Sequence, residues 1–171
     1  KKPVNPSRVV MLLSNPYNPD DRVRNEALAL QDVGYEVIVL AWDRQSLYPE
    51  KQEIDGLKIR RAHLRSEYEK GVKQWLAFIR VWIWFVQEIT ELSPKVVHCH
   101  DFDTYLAGLW YCVNKQDVKL VFDAHENYAL MIKEFVSATA GLVVHVLEQL
   151  SIHFSDLTIA PCGATLNYYS Q

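Results

Sequence analysis

Apolar and polar positions along the chain alternate between two signatures, one of buried strands and one of amphipathic helices. Arg8 to Ser14 reads RVVMLLS, a continuous apolar run stopped by Asn15 and Pro16, the pattern of a strand covered on both faces. From Asp20 onward, Val23, Ala27, Leu30 and Val33 fall at helical spacing, with acids at the start and Gly34 past the end, where helix termini favour them. Glu36 to Trp42, EVIVLAW, is a second buried strand, reached through the short link Gly34–Tyr35. Asp43 to Asp55 reads as polar loop, and Leu57 to Ala62 as a third strand nearer a sheet edge. Val72 to Leu92 is a long helix interrupted by Arg80 and closed by Ser93 and Pro94. A strand at Lys95–His100, a helix at Thr104–Val113 and a strand at Lys119–Asp123 repeat the unit. After a less regular Asn127–Ala140, the chain predicts a helix over Leu142–Phe154 and a last strand over Leu157–Ala160.

Strands and helices in strict alternation define an α/β protein, a Rossmann-like parallel sheet flanked by helices and joined by right-handed crossovers. With 171 residues, 49% of them hydrophobic, residues 1–171 can bury one core, so a single domain is expected. Eighteen basic against 21 acidic residues, a formal charge of -3, offer no positive field for a nucleic-acid backbone. Cys99, Cys112 and Cys162 lack the spacing of a disulfide framework or a zinc site, which fits a reducing cytoplasm. The polar lead Lys1–Ser7 has no signal-peptide core and reads as a trimmed start.

In an open parallel sheet, ligands bind beyond the carboxyl ends of the strands, where helix amino termini also point. The residues expected there are Asn15, then Asp43 and Arg44, then His100 and Asp101, and finally Asp123, His125 and Glu126. At the opposite ends Lys58, Lys95 and Lys119 are ordinary solvated starters. Within HCHDFDT, His98 and His100 share one strand face and Cys99 takes the other, while Asp103 reads best as a helix cap. Within DAHE, a carboxylate beside an imidazole can orient it or raise its pKa. The plainer alternative is that Asp123 holds loop backbone and His125 is a half-buried polar residue. His145 and Glu148, at helical i, i+3 spacing, read as a surface pair without a third ligand, so no metal is expected. NPYNPDDR stands where a GxGxxG would follow the first strand, and neither a P-loop nor a GxSxG elbow occurs; no bound cofactor is expected. Trp75, Trp82 and Trp84 make the long helix unusually rich in tryptophan. Burial in the core is its first reading and peripheral membrane or partner contact its second; it is too short and too charged to span a bilayer.

The segments DDRVRNEALALQDVGYEVIVLAWDR, KVVHCHDFDTYLAGLW and KLVFDAHENY, in that order, resemble the amino-terminal domain of a family 4-like glycosyltransferase of the GT-B type. The likeness runs from Arg8 to Thr165, and LEQLSIHFSDLTIAP is similar to the stretch leading to the interdomain hinge. The resemblance implies a retaining hexosyl transferase of two Rossmann-like domains, acting in the cytoplasm on a glycan or lipid-linked acceptor, as in cell-surface polysaccharide synthesis. This chain would shape the acceptor side. A carboxyl-terminal domain outside it would bind the nucleotide-sugar donor, so that the chain alone would be inactive. Carried over by position, His100, Asp101 and His125 are expected to be catalytic, with His100 and Asp101 facing the donor sugar. Asn15, Asp20, Arg22 and Glu126 are expected to bind acceptor. In the DxRVxxEA pattern Arg22 can face the cleft and Glu26 is as readily structural. Pro16 to Pro19 replace a glycine pair that many relatives carry after the first strand, which alters how an acceptor would dock. Other readings are a non-catalytic sugar- or protein-binding module and half of a GT-B type sugar epimerase.

Overall fold

The computed structural model describes residues 7–66, 72–125 and 138–160. The elements are β1 Arg8–Leu13, α1 Asp21–Asp32, β2 Glu36–Trp42, β3 Lys51–Ile54, β4 Leu57–Ala62, α2 Val72–Leu92, β5 Val96–His100, α3 Phe102–Val113, β6 Lys119–Asp123, α4 Ala138–Phe154 and β7 Leu157–Ile159. The strands form one sheet in the order β3-β4-β2-β1-β5-β6-β7. Every pairing is parallel except that of β3 with β4. The apolar runs of β1, β2 and β5 lie at the middle of the sheet, where both faces are covered.

The strand β3 corrects the expectation of a loop over residues 43–55. Lys51, Gln52 and Glu53 are exposed, so the segment shows no apolar alternation. It pairs at the sheet edge through an Asp55-Gly56 turn whose φ angles are 52° and 78°. Positive φ at both central residues is what a two-residue hairpin demands, and Asp-Gly is its strongest sequence signal. The third helix also begins earlier than Thr104. Asp101 occupies its cap position, so Asp103 lies in the first turn rather than at the cap.

Side-chain alternation divides the core in two. Val10, Leu12, Leu40, Trp42, Val97 and Cys99 meet Phe85 and Ile89 of α2 and Tyr105 and Tyr111 of α3. On the other face Val9, Met11, Leu13, Val37 and Val39 pack under Val23 and Ala27 of α1. Parallel register decides what else emerges beneath α1. His98 lies beside Met11, and His100, two residues on, lies beside Asp123 of β6.

Trp82 and Trp84 pack against the core, and the Trp82 indole donates to the Asp103 carbonyl at 2.6 Å, in keeping with burial; the Trp75 side chain lies outside the described residues. Among the described residues no helix is long and apolar enough to cross a membrane. Glu148 is fully buried, which corrects the reading of His145 and Glu148 as a surface pair. Ser151, one turn further along α4, places that face of the helix against α3 by accepting the Tyr105 hydroxyl at its carbonyl, 2.8 Å away.

Close packing makes one glycine a sensitive position. A Cβ on Gly108 of α3 would lie 2.3 Å from the Cys99 sulfur and 3.2 Å from Leu120 and Val97. We expect Gly108→Ala to destabilise the fold by about 1–3 kcal/mol through overpacking. In a urea-denaturation double-mutant cycle, Cys99→Ala should recover part of that loss, and strict additivity would contradict the packing account.

Candidate active site

The site lies at the carboxyl ends of β5 and β6, under the first two turns of α1. Asp20 caps that helix by accepting from the Val23 amide at 3.4 Å, and Asn15 donates to Asp20 at 3.0 Å while its carbonyl oxygen accepts from the Tyr17 amide at 2.8 Å. Both side chains therefore have local work in setting where α1 starts. One turn in, Arg22 and Glu26 occupy i, i+4 positions on a single helix face and project over the strand ends.

Arg22 bridges the two clusters separated in the sequence. Its guanidinium lies 3.3 Å from Asp123 and 3.9 Å from Asp101. Asp123, 2% exposed, is also 3.1 Å from His100 Nδ1. Burial would raise the Asp123 pKa, but the hydrogen bond with His100 and the charges of His100 and Arg22 outweigh it and leave it below its ordinary value. An ionised Asp123 makes His100 Nδ1 the donor of this hydrogen bond and leaves Nε2 outside it.

Glu26 and His98 complete the group; the sequence left Glu26 as readily structural and assigned His98 only a strand face. His98 Nε2 is 3.7 Å from Glu26, and its ring stacks on that of His100 with centroids 4.3 Å apart. Burial, reinforced by the neighbouring His100, holds the His98 pKa down to about 3, so the ring is neutral. Burial also pushes Glu26 above its ordinary value, with Asp123 acting in the same direction and His100 and Arg22 opposing. Two signals pointed to this pair: the two-residue spacing of His98 and His100, and the helical spacing of Arg22 and Glu26.

Glu26, His98, His100 and Asp123 each place one donor atom within 4.8 Å of the others, a donor set able to hold a divalent cation. The nearest positive charge is the protein's own, since the Arg22 guanidinium already faces Asp123. Arg22 Nη1, Glu26 Oε2, His98 Nε2 and His100 Nε2 are buried without a hydrogen-bond partner among the described residues. Buried polar atoms of this kind are ones that a polyol's hydroxyls or bridging water can satisfy.

Asp101 has an unusual backbone. With φ 67° and ψ 164° it occupies a region that is essentially reserved for glycine, while its amide donates to the Asp123 carbonyl at 3.0 Å. The strain turns its side chain out of the cap role and towards Arg22. His125 lies just past β6 and is exposed, with no hydrogen bond or ion pair among the described residues; Glu126 lies outside them.

The architecture is that of a GT-B Rossmann-like domain. Sucrose-phosphate synthase from Thermosynechococcus elongatus superposes with a TM-score of 0.73 at 14% identity, covering 95% of this chain and 44% of that one. The catalytic domain of starch synthase IV from Arabidopsis thaliana, bound to ADP and acarbose, gives 0.63 at 15% identity, covering 96% and 50%. UDP-GlcNAc 2-epimerase from Methanocaldococcus jannaschii gives 0.56 at 13% identity, covering 95% and 42%. This chain thus spans about half the length, or less, of these structures. The sequence profile of Glycosyltransferase Family 4 matches residues 22–171, and the chain belongs to that family. No curated protein sequence matches it.

Two outcomes follow from the site. The folded pKa of His98 lies below the 6.5 of an unfolded histidine, so its contribution is complete above pH 6.5 and is lost as pH falls towards 3. Glu26 acts oppositely, losing stability as pH rises above 4.5, and Asp123 adds a loss only below 3.8. Relative to a His98→Asn variant, the parent should therefore lose up to about 1.4 kcal/mol more stability per pH unit of acidification below 6.5. Parallel stability curves for the two proteins would contradict a neutral, buried His98. The second outcome concerns Asp101: replacement by glycine should raise stability by up to about 1 kcal/mol in thermal or urea unfolding, because only the strained backbone benefits.

Proposed function

We propose that this chain forms the acceptor-side wall of a glycosyl-transfer cleft, with a nucleotide-sugar donor held by a second domain encoded beyond it. The observation that carries this reading is the meeting of Arg22, His100, Asp101 and Asp123 at the sheet's carboxyl edge in a chain of Glycosyltransferase Family 4. The coverage of under or about half of the neighbouring structures supports a further domain. Two neighbouring enzymes are named for sugar phosphates, sucrose-phosphate synthase and trehalose-phosphate synthase.

Transfer needs sugar hydroxyls held in one orientation while the bond to the leaving phosphate lengthens. Asp123 fixes the His100 ring, and the free Nε2 lone pair accepts a sugar hydroxyl. Arg22 keeps Asp123 ionised and holds Asp101 at the rim, where that carboxylate accepts another hydroxyl. His125, exposed past β6, is available to a ligand entering from the opposite wall. One of these bases accepts the acceptor's proton as its oxygen attacks the anomeric carbon and the nucleotide leaves. Retention of the anomeric configuration, a hexosyl donor, a glycan or lipid-linked acceptor, a cytoplasmic location and inactivity of the isolated chain belong to the same reading. Epimerisation is the second reading, because a UDP-GlcNAc 2-epimerase shares the fold.

The complete gene product, incubated with a panel of UDP-, ADP- and GDP-sugars, should release nucleotide only when an acceptor is present. His100→Ala and Asp101→Ala should each lower turnover at least tenfold; turnover within threefold of the parent for both would overturn the assignment. Conversion of the donor sugar to its epimer without any acceptor would establish the second reading instead.

A further inference from the structure

Three buried donor atoms converge beneath α1, and the contacts of the folded chain leave all three unused. His98 and His100, two residues apart on β5, face the same side of the sheet, and Glu26 of α1 lies over them, its carboxylate 3.7 Å from His98 Nε2. Both imidazole side chains are more than nine-tenths buried. His98 Nε2, His100 Nε2 and Glu26 Oε2 have no hydrogen-bond partner among the described residues. One donor atom from each of these residues and from Asp123 lies within 4.8 Å of the others.

The positive charge already present is directed elsewhere. Arg22 is engaged by Asp123, at 3.3 Å, and Asp101, at 3.9 Å. Among the described residues the one basic side chain within 4.0 Å of the Glu26 carboxylate is His98, whose ring burial keeps neutral. A buried carboxylate oxygen beside two unused imidazole nitrogens is a costly arrangement that a cation would compensate. Asp123 has a different place, 3.1 Å from His100 Nδ1. A carboxylate hydrogen-bonded to the second nitrogen of a histidine is the usual partner behind a metal-ligating imidazole, fixing its orientation and raising its basicity.

We propose that His98 Nε2, His100 Nε2 and Glu26 form a binding site for a divalent cation of the zinc class, with Asp123 the outer partner of His100. Two imidazoles and one carboxylate suit Zn2+ rather than Mg2+ or Ca2+, which take oxygen ligands. Around a tetrahedral zinc ion the donor atoms lie about 3.4 Å apart, so Glu26 and His98 have little distance to close. The ion sits near the plane of each ring that ligates it, and the two rings, stacked with 24° between their planes, open to admit it. His98 can make that turn, since its Nε2 has no hydrogen bond to lose among the described residues. Three protein ligands leave the fourth position to water or to a hydroxyl. In the transfer reading above, His100 Nε2 accepts a sugar hydroxyl, and a zinc ion on that nitrogen displaces it, which makes the cation an inhibitor of transfer. The inhibitory role rests on the transfer reading; the binding of zinc does not.

Equilibrium dialysis of the complete, untagged protein, stripped with chelator and then exposed to Zn2+ or Mg2+, tests the site without any sugar. One Zn2+ should bind at least a hundredfold more tightly than Mg2+. Glu26→Gln and His98→Asn should each weaken it at least tenfold, while His153→Gln, at an exposed histidine of α4, should bind as the parent does. Circular dichroism checks that each variant is folded, and the isosteric Glu26→Gln carries the test if His98→Asn is not. Zinc affinity unchanged in Glu26→Gln, comparable affinity for Mg2+, or a zinc ion lost on His153→Gln overturns the proposal. For the inhibitory role, transfer from donor to acceptor should fall at least tenfold at saturating Zn2+ and return on chelation. Zinc binding that leaves transfer unaffected would refute inhibition alone. Zinc binding in a complete protein that transfers no sugar would refute the transfer reading and leave the cation site standing.

Discussion

The arrangement at the carboxyl edge depends on the contact between Arg22 and Asp123. A carboxylate 2% exposed at the end of β6 is costly unless a cation and hydrogen bonds compensate it. Arg22 supplies the cation from above, and the His100 imidazole supplies the hydrogen bond from the adjacent strand. That single neutralisation also brings Asp101 within reach of the same guanidinium. Arg22 and Asp123, 101 residues apart in sequence, are thereby coupled.

The two halves of the edge differ in chemistry because the two faces of the sheet differ in cover. Beneath α1 the strand ends present imidazole and carboxylate groups shielded from water, suited to directing hydroxyls and protons. On the α2 side the strand ends open on a cleft lined by Arg44, Arg65 and Arg80 together with the apolar Leu47 and Leu76. Asn15, at the end of β1, belongs to both, lining the cleft while its side-chain amide steadies the α1 cap.

Much of the fold was legible because the central strands are continuous apolar runs and the helices are amphipathic; Val9 to Leu13 and Val37 to Trp42 are buried almost completely. The edge strand β3 was not, since a solvated edge has no apolar face and reads as loop unless the Asp55-Gly56 turn is given weight. For the site, strand ends identified His100, Asp101 and Asp123 directly. Arg22 and Glu26 were visible only as a helical pair whose target depends on tertiary packing. His98 was placed on the correct strand face, but it is burial, reinforced by His100, that keeps it neutral, and no local pattern encodes that burial. The burial of Glu148 likewise follows from how α4 meets α3, which spacing along one helix does not reveal.

The edge strand has a further consequence for the behaviour of the molecule in concentrated solution. An open sheet edge is a template on which any extended chain can continue the ladder, the usual beginning of aggregation. Here that edge carries Lys51 and Glu53, both exposed, and ends in a tight hairpin. A foreign strand docking against it would have to strip water from fixed charges at each step, so the hairpin that the apolar pattern concealed acts as a guard for the sheet it borders.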